Sequence, residues 1–122
     1  MKQIILVLCL FMLCACSNEP INEVNKINQK VNCENAYDLV SQGALLVDVR
    51  NDYEYNERHL DKAVNYPLDS ILVNLDNLKI SKDTPIIVYC NTGNRSSQAI
   101  KKLQKEGYSK LYDLMSINNC NK

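Results

Sequence analysis

Residues 88–98 read VYCNTGNRSSQ, and Cys90 closes an apolar run just before a glycine, an arginine and two serines. An unperturbed thiol ionises near pH 8.5. The unpaired N–H groups and macrodipole of a helix N-terminus favour negative charge, and thiols so placed ionise more readily. Between Cys90 and the predicted helix lie Asn91, Thr92, Gly93, Asn94 and Arg95, with Ser96 opening the helix. Gly93 permits a positive φ, so the loop can curl. Successive N–H groups of a curled loop form an anion nest. Arg95 adds a fixed, forked positive charge. This chemistry suits an anionic sulfur at Cys90 and an anionic substrate beside it. The competing reading is a small buried hydrophobe on a strand.

The surrounding elements decide between the two readings. CENAYDLVSQG spaces Ala36, Leu39 and Val40 as a helix stopped by Gly43, with Cys33 at the expected N-cap. ALLVDVR is a continuous apolar run suited to a strand buried on both faces. NDYEYNERH offers Asn51 or Asp52 as the cap of one or two helical turns, and AVNYP is a short strand ended by Pro67. LDSILVNLDNL is a helix with an apolar face, IIVYC is the most apolar strand, and SSQAIKKLQKEG is a helix ending at Gly107. KLYDL is a last strand. Strands alternating with helices predict an α/β fold, a parallel sheet with helices on both faces. Such sheets bind ligands at the carboxyl ends of their strands, where Cys90 falls.

The chain has 122 residues, suited to one domain, with 14 Lys+Arg against 14 Asp+Glu. That balance gives no basis for a nucleic-acid partner, and lysines 101, 102 and 105 read as a solvated helix face. The chain opens MKQIILVLCLFMLCAC, one lysine before a short apolar run that is below the roughly 20 residues a spanning helix needs. A basic start and apolar middle fit an export signal. LCAC places Leu13 three residues before Cys16 and resembles the lipobox of bacterial lipoproteins. That resemblance implies a cleaved signal at residues 1–15, lipidation of Cys16, and a location in the cell envelope, anchored to a bacterial membrane and facing the periplasm or exterior. Residues 16–28 are polar and asparagine-rich and read as a flexible tether, leaving 29–122 as the folded domain. Of six cysteines, Cys33, Cys90 and Cys120 then remain, and an odd number in an exported protein flags a reactive thiol.

CNTGNRS resembles the active-site loop of rhodaneses, the single-domain sulfurtransferases. LLVDVRNDYEYNERHLDKAVNYP is similar to that family's first motif through Asp48, Arg50, Glu54, Tyr55, His59, Ala63, Asn65 and Pro67. VYCNTGNRSSQA is especially similar to the small exported members of the phage-shock type. The resemblance implies a single rhodanese-like domain, a parallel sheet of about five strands with helices on both faces, and a persulfide cycle. Cys90 takes sulfur from a small anionic donor such as thiosulfate and passes it to cyanide, a thiol or a protein thiol, with no metal or organic cofactor. Asn91, Thr92, Gly93, Asn94, Arg95 and Ser96 would hold the substrate, and Asp48 and Arg50 would support the loop. Asp48 is expected to accept hydrogen bonds from that loop, and Arg50 to pair with Glu54. The related loops of phosphatases and arsenate reductases are one residue longer, which makes those activities the lesser alternatives. A non-catalytic binding or redox-relay module is the other. The expected state is a monomer.

His59, the single histidine, reads as structural. Cys33 and Cys120 are expected either to form a disulfide or to leave Cys120 as a second sulfur-handling thiol. Where the family often has paired glycines and later a tryptophan, this chain has Met115, Ser116 and Cys120. The pocket wall beside Cys90 is where it departs most.

Overall fold

The structure, a computed structural model, describes residues 29–121. The signal segment 1–15, Cys16 and the tether 16–28 lie outside the described residues. The chain runs β1 (Gln29–Lys30), α1 (Cys33–Ser41), β2 (Leu45–Asp48), α2 (Asp52–Glu57), β3 (Val64–Asn65), α3 (Ile71–Asn77), β4 (Ile86–Cys90), α4 (Asn94–Lys105) and β5 (Leu111–Ser116), then a 3₁₀ turn, Ile117–Cys120. The five strands form one parallel sheet in the order β1-β5-β4-β2-β3. β4 is the central strand and every residue in it is buried.

Strand alternation divides β4 between two cores. Ile86, Val88 and Cys90 pack with Ile71 and Leu75 of α3 and with Ala99, Ile100 and Leu103 of α4. Ile87 and Tyr89 face the other side, with Ala36 of α1, Leu60, Ala63 and Leu114. The sheet is therefore covered on both faces, the layering that continuous apolar strands require.

The caps show where side-chain chemistry overrules apolar spacing. Asn32, not Cys33, caps α1, accepting the Asn35 N–H on Oδ1 at 2.8 Å. Asparagine is among the strongest N-caps and a thiol is a weak acceptor, so Cys33 becomes the first helical residue. Asn51 precedes α2, where the Glu54 carboxylate accepts its N–H at 2.9 Å. α4 begins at Asn94, two residues before the expected Ser96, because Gly93 at φ 94° turns the chain into the helix without a side-chain cap.

β1 was not expected. Gln29 and Lys30 pair with Tyr112 and Asp113 at the edge of the sheet, and two polar residues carry no apolar periodicity. β5 extends past KLYDL to Ser116 through an irregular step. Val88 pairs with Asp113 and Tyr89 with Met115, which leaves Leu114 as an extra residue.

After β2 the chain moves outward to β3, then returns on the opposite side of β2 to form β4. The carboxyl ends of β2 and β4 thus flank the point where strand order reverses, the usual ligand crevice of such sheets. Asp48 ends one strand and Cys90 the other.

Candidate active site

Cys90 is 1% exposed, and its Sγ is enclosed by backbone amides as well as by the core. It accepts the Gly93 N–H at 3.0 Å and the Ser96 N–H at 3.4 Å. Ser96 lies in the first turn of α4, where N–H groups have no partner within the helix. Gly93 can aim its own N–H inward because it adopts a left-handed conformation that side chains resist. The thiol is both packed against Ala99 and Ile100 and cupped by the loop. Cys90 is the free cysteine among the described residues, since Cys33 and Cys120 form a disulfide with Cα atoms 5.1 Å apart. That pairing decides between the two roles expected for Cys120.

The other loop residues divide by position. The Asn91 side chain bridges two charged groups, accepting from Arg50 Nη1 at 3.2 Å and donating to Glu54 Oε1 at 2.9 Å. Its carbonyl accepts the Ser116 hydroxyl at 2.5 Å. Thr92 and Asn94 are exposed at the rim. The Gly93 carbonyl takes the Ser96 hydroxyl at 3.0 Å, which closes the loop on itself.

The charge pairing differs from the expected one. Arg50 pairs with Asp48, Nη2 to Oδ2 at 2.8 Å, instead of with Glu54. Chain reversal after β2 places Arg50 before α2, so its side chain folds back over the strand end. Nη2 of Arg50 also donates to the Arg58 carbonyl at 2.6 Å. Asp48 accepts from the Arg50 backbone N–H at 2.9 Å and its guanidinium, not from the active loop directly; Arg50 relays the contact to Asn91. Burial opposes the charge on Arg50, yet its bonds to Asp48 raise the guanidinium above its ordinary range.

Glu54 pairs instead with Arg95, in two bonds of 2.7 and 3.0 Å. These bonds hold the Glu54 carboxyl down at about 2, with the Asn51 N–H and Arg50 contributing. Arg95 is raised in turn, chiefly by Glu54. Arg95 was expected to hold the anionic end of the substrate. It is engaged here, in a pair 29% and 14% exposed. Glu54 of this pair also lines a cleft of about 370 Å³, with Arg50, Arg58, Asn91, Ile117 and Asn118 among its other walls; Arg95 and Cys90 do not line it.

His59 stacks on Tyr55 with ring centroids 3.8 Å apart, and its Nδ1 donates to the Tyr55 carbonyl at 2.8 Å. Both contacts lie within the first motif, so the ring braces that segment.

Two supporting residues, Tyr89 and Asp113, were not foreseen, while Met115 was expected at the pocket wall where the chain departs from the family. The buried Tyr89 hydroxyl accepts the Leu60 N–H at 3.1 Å, and burial raises its ionisation further above the phenol range. Asp113, 5% exposed, accepts the Met115 N–H at 2.8 Å. Burial raises the Asp113 carboxyl, and the neighbouring Ser96 and the Met115 N–H oppose the rise. Met115 takes φ 69° and lies against Gly93. An aspartate in an otherwise apolar strand was a visible signal; a left-handed methionine was not.

A five-stranded parallel sheet, with a cysteine loop cradled at its switch point, defines the class of protein. Residues 32–116 match the Rhodanese-like domain family, and the chain belongs to it. It is 35% identical over 80 residues to the tRNA uridine(34) hydroxylase of Buchnera aphidicola, spanning 62% of this chain and 26% of that protein. It is 40% identical over 70 residues to the adenylyltransferase and sulfurtransferase uba4 of Ogataea parapolymorpha, spanning 57% of this chain and 18% of that protein. The chain thus spans about a quarter or less of the curated relatives it matches. Among solved structures, a rhodanese with anions from E. coli superposes with TM-score 0.60 at 27% identity, covering 63% of this chain and 91% of that one. The human single-domain sulfurtransferase shares the fold, with TM-score 0.59 at 21% identity, covering 69% of this chain and 86% of that one.

Proposed function

We propose that the protein is a sulfurtransferase that carries sulfane sulfur on Cys90. The observation that supports this most is the convergence of the Gly93 and Ser96 N–H groups on one sulfur atom. Two fixed N–H donors cradle the sulfur atom that would carry the transferred group. The Cys90 thiolate attacks the outer sulfur of thiosulfate, the S–S bond breaks, and sulfite leaves with the bonding pair. The new persulfide then gives its outer sulfur to a nucleophile such as cyanide or a thiolate, and the Cys90 thiolate is regenerated. An anionic donor approaching the loop competes with Glu54 for the partly exposed Arg95. The family match and the name of the uba4 relative point the same way.

The decisive measurement is the mass of the Cys90 peptide after the full chain meets thiosulfate. The expected gain is one sulfur, about 32 Da, removed by cyanide and absent in Cys90→Ser, as a covalent intermediate requires. A reduced Cys90 that gains nothing would leave a non-catalytic binding module.

The location we propose is the cell envelope, through lipid on Cys16. The support is the Leu13-Cys-Ala-Cys16 spacing at the end of the apolar run. Cys16→Ala is expected to lose lipid labelling and membrane attachment; unchanged labelling would rule the site out.

A further inference from the structure

The methionine that closes the loop from the β5 side is out of keeping with its backbone. Met115 holds φ 69°, a region that glycine occupies freely and other residues occupy against a steric penalty. Such conformations persist only where their surroundings enforce them, and they gather at working sites. Here the enforcement is visible. The extra residue Leu114 bends β5 between Asp113 and Met115. The buried Asp113 carboxylate then accepts the Met115 N–H at 2.8 Å. Ser116, the next residue, fastens the strand end to the Asn91 carbonyl.

What this turn achieves is the placement of one side chain. A Cβ built on Gly93 would lie 3.3 Å from Met115 Cε, 3.4 Å from its Cβ and 3.8 Å from its Cγ. The methionine therefore covers the Cα flank of Gly93, the residue whose N–H is the nearer donor to Cys90 Sγ. Glycine at position 115 would make the same turn without strain and leave that flank empty.

We infer that Met115 is a size-selecting wall of the Cys90 site, admitting small sulfur acceptors and hindering bulky ones. The inference rests on the sulfur-transfer reading for its substrates, but the wall itself does not. A thioether chain is unbranched and adaptable, so the selection is graded.

The test compares wild type, Met115→Gly and Met115→Leu in the full chain. Alkylation of Cys90 by iodoacetamide and by N-pyrenylmaleimide is followed on the Cys90 peptide by mass spectrometry. Met115→Gly is expected to raise the bulky-to-small rate ratio on the order of tenfold, while Met115→Leu keeps the wild-type ratio. The kcat/KM ratio for glutathione over cyanide, with thiosulfate as donor, should rise in parallel. An alkylation ratio unchanged in Met115→Gly overturns the wall, and an unchanged acceptor ratio overturns its role in specificity. A raised alkylation ratio with no persulfide in any variant upholds the wall and overturns sulfur transfer. Because Met115→Gly relieves strain, its Tm should stay at or above that of wild type, which separates access from unfolding.

Discussion

On one side of the Cys90 loop, residues 48–58 are fastened by charge. On the other, residues 113–120 are fastened by a bulge, a hydroxyl hydrogen bond and a covalent crosslink. The first wall is a chain of alternating ions, Asp48 to Arg50 and Glu54 to Arg95, with Asn91 bridging between them. Its inner pair is 6% and 0% exposed, while its outer pair reaches solvent. In the second wall Asp113 shapes the turn, Ser116 fixes it to the loop, and Cys120 is bonded to Cys33 at the start of α1. The lesson is that one sulfur is framed by two kinds of restraint. One is held by ion pairs, the other carries a crosslink that reductants can break.

The largest expected effect comes from opening the inner ion pair. Asp48→Ala strands the buried Arg50 guanidinium and should cost about 3–5 kcal/mol in urea unfolding. A loss below about 1 kcal/mol would mean that Arg50 finds another anion or water, and the electrostatic account of this wall would fail. Second is the double change Cys33→Ser with Cys120→Ser. The sequence separation of 87 predicts a loss of roughly 2–5 kcal/mol, the same at low and high salt. A marked salt dependence of that loss would erase the contrast between the walls.

Glu54→Gln is expected to cost about 1–3 kcal/mol at neutral pH, because two charge-assisted bonds to Arg95 are weakened. Here the sign follows from the lowered carboxyl. The folded state holds Glu54 ionised down to about 2 against an ordinary value of 4.5. The contribution is therefore present above about 4.5 and lost as pH falls toward about 2. Wild type and Glu54→Gln should converge in stability across that window; a constant difference would show that Arg95 is not the cause. The smallest effect is Ser116→Ala, about 1 kcal/mol for one hydrogen bond, read as a small fall in Tm. No fall would mean that the Asn91 carbonyl finds another donor.

Much of this arrangement was written locally in the chain. The apolar run Ile86–Cys90 and the abrupt polar loop after it gave the central strand, its carboxyl end and the thiol there. Ala99, Ile100 and Leu103 gave the buried face of α4. What escaped was non-local or lacked a side-chain signature. Arg50 and Glu54 stand four apart, but only residues sharing one helix face meet at that spacing, and α2 begins at Asp52. Glu54 and Arg95 meet only because β2 and β4 are neighbours. The Cys33–Cys120 pairing needed a distance that only the fold supplies. Gln29 and Lys30 are held by backbone ladder bonds, to which their side chains give no clue.

That edge strand has a geometric consequence. Gln29 lies level with Tyr112, and Tyr112 with Ile87, so the described chain joins the sheet three residues below Cys90 along a common strand direction. At the usual rise per residue this is about 10 Å. Gln29 thus sits toward the amino-terminal end of the strands, while the sulfur loop lies at their carboxyl ends. A partner reaching Cys90 meets the end of the sheet away from Gln29.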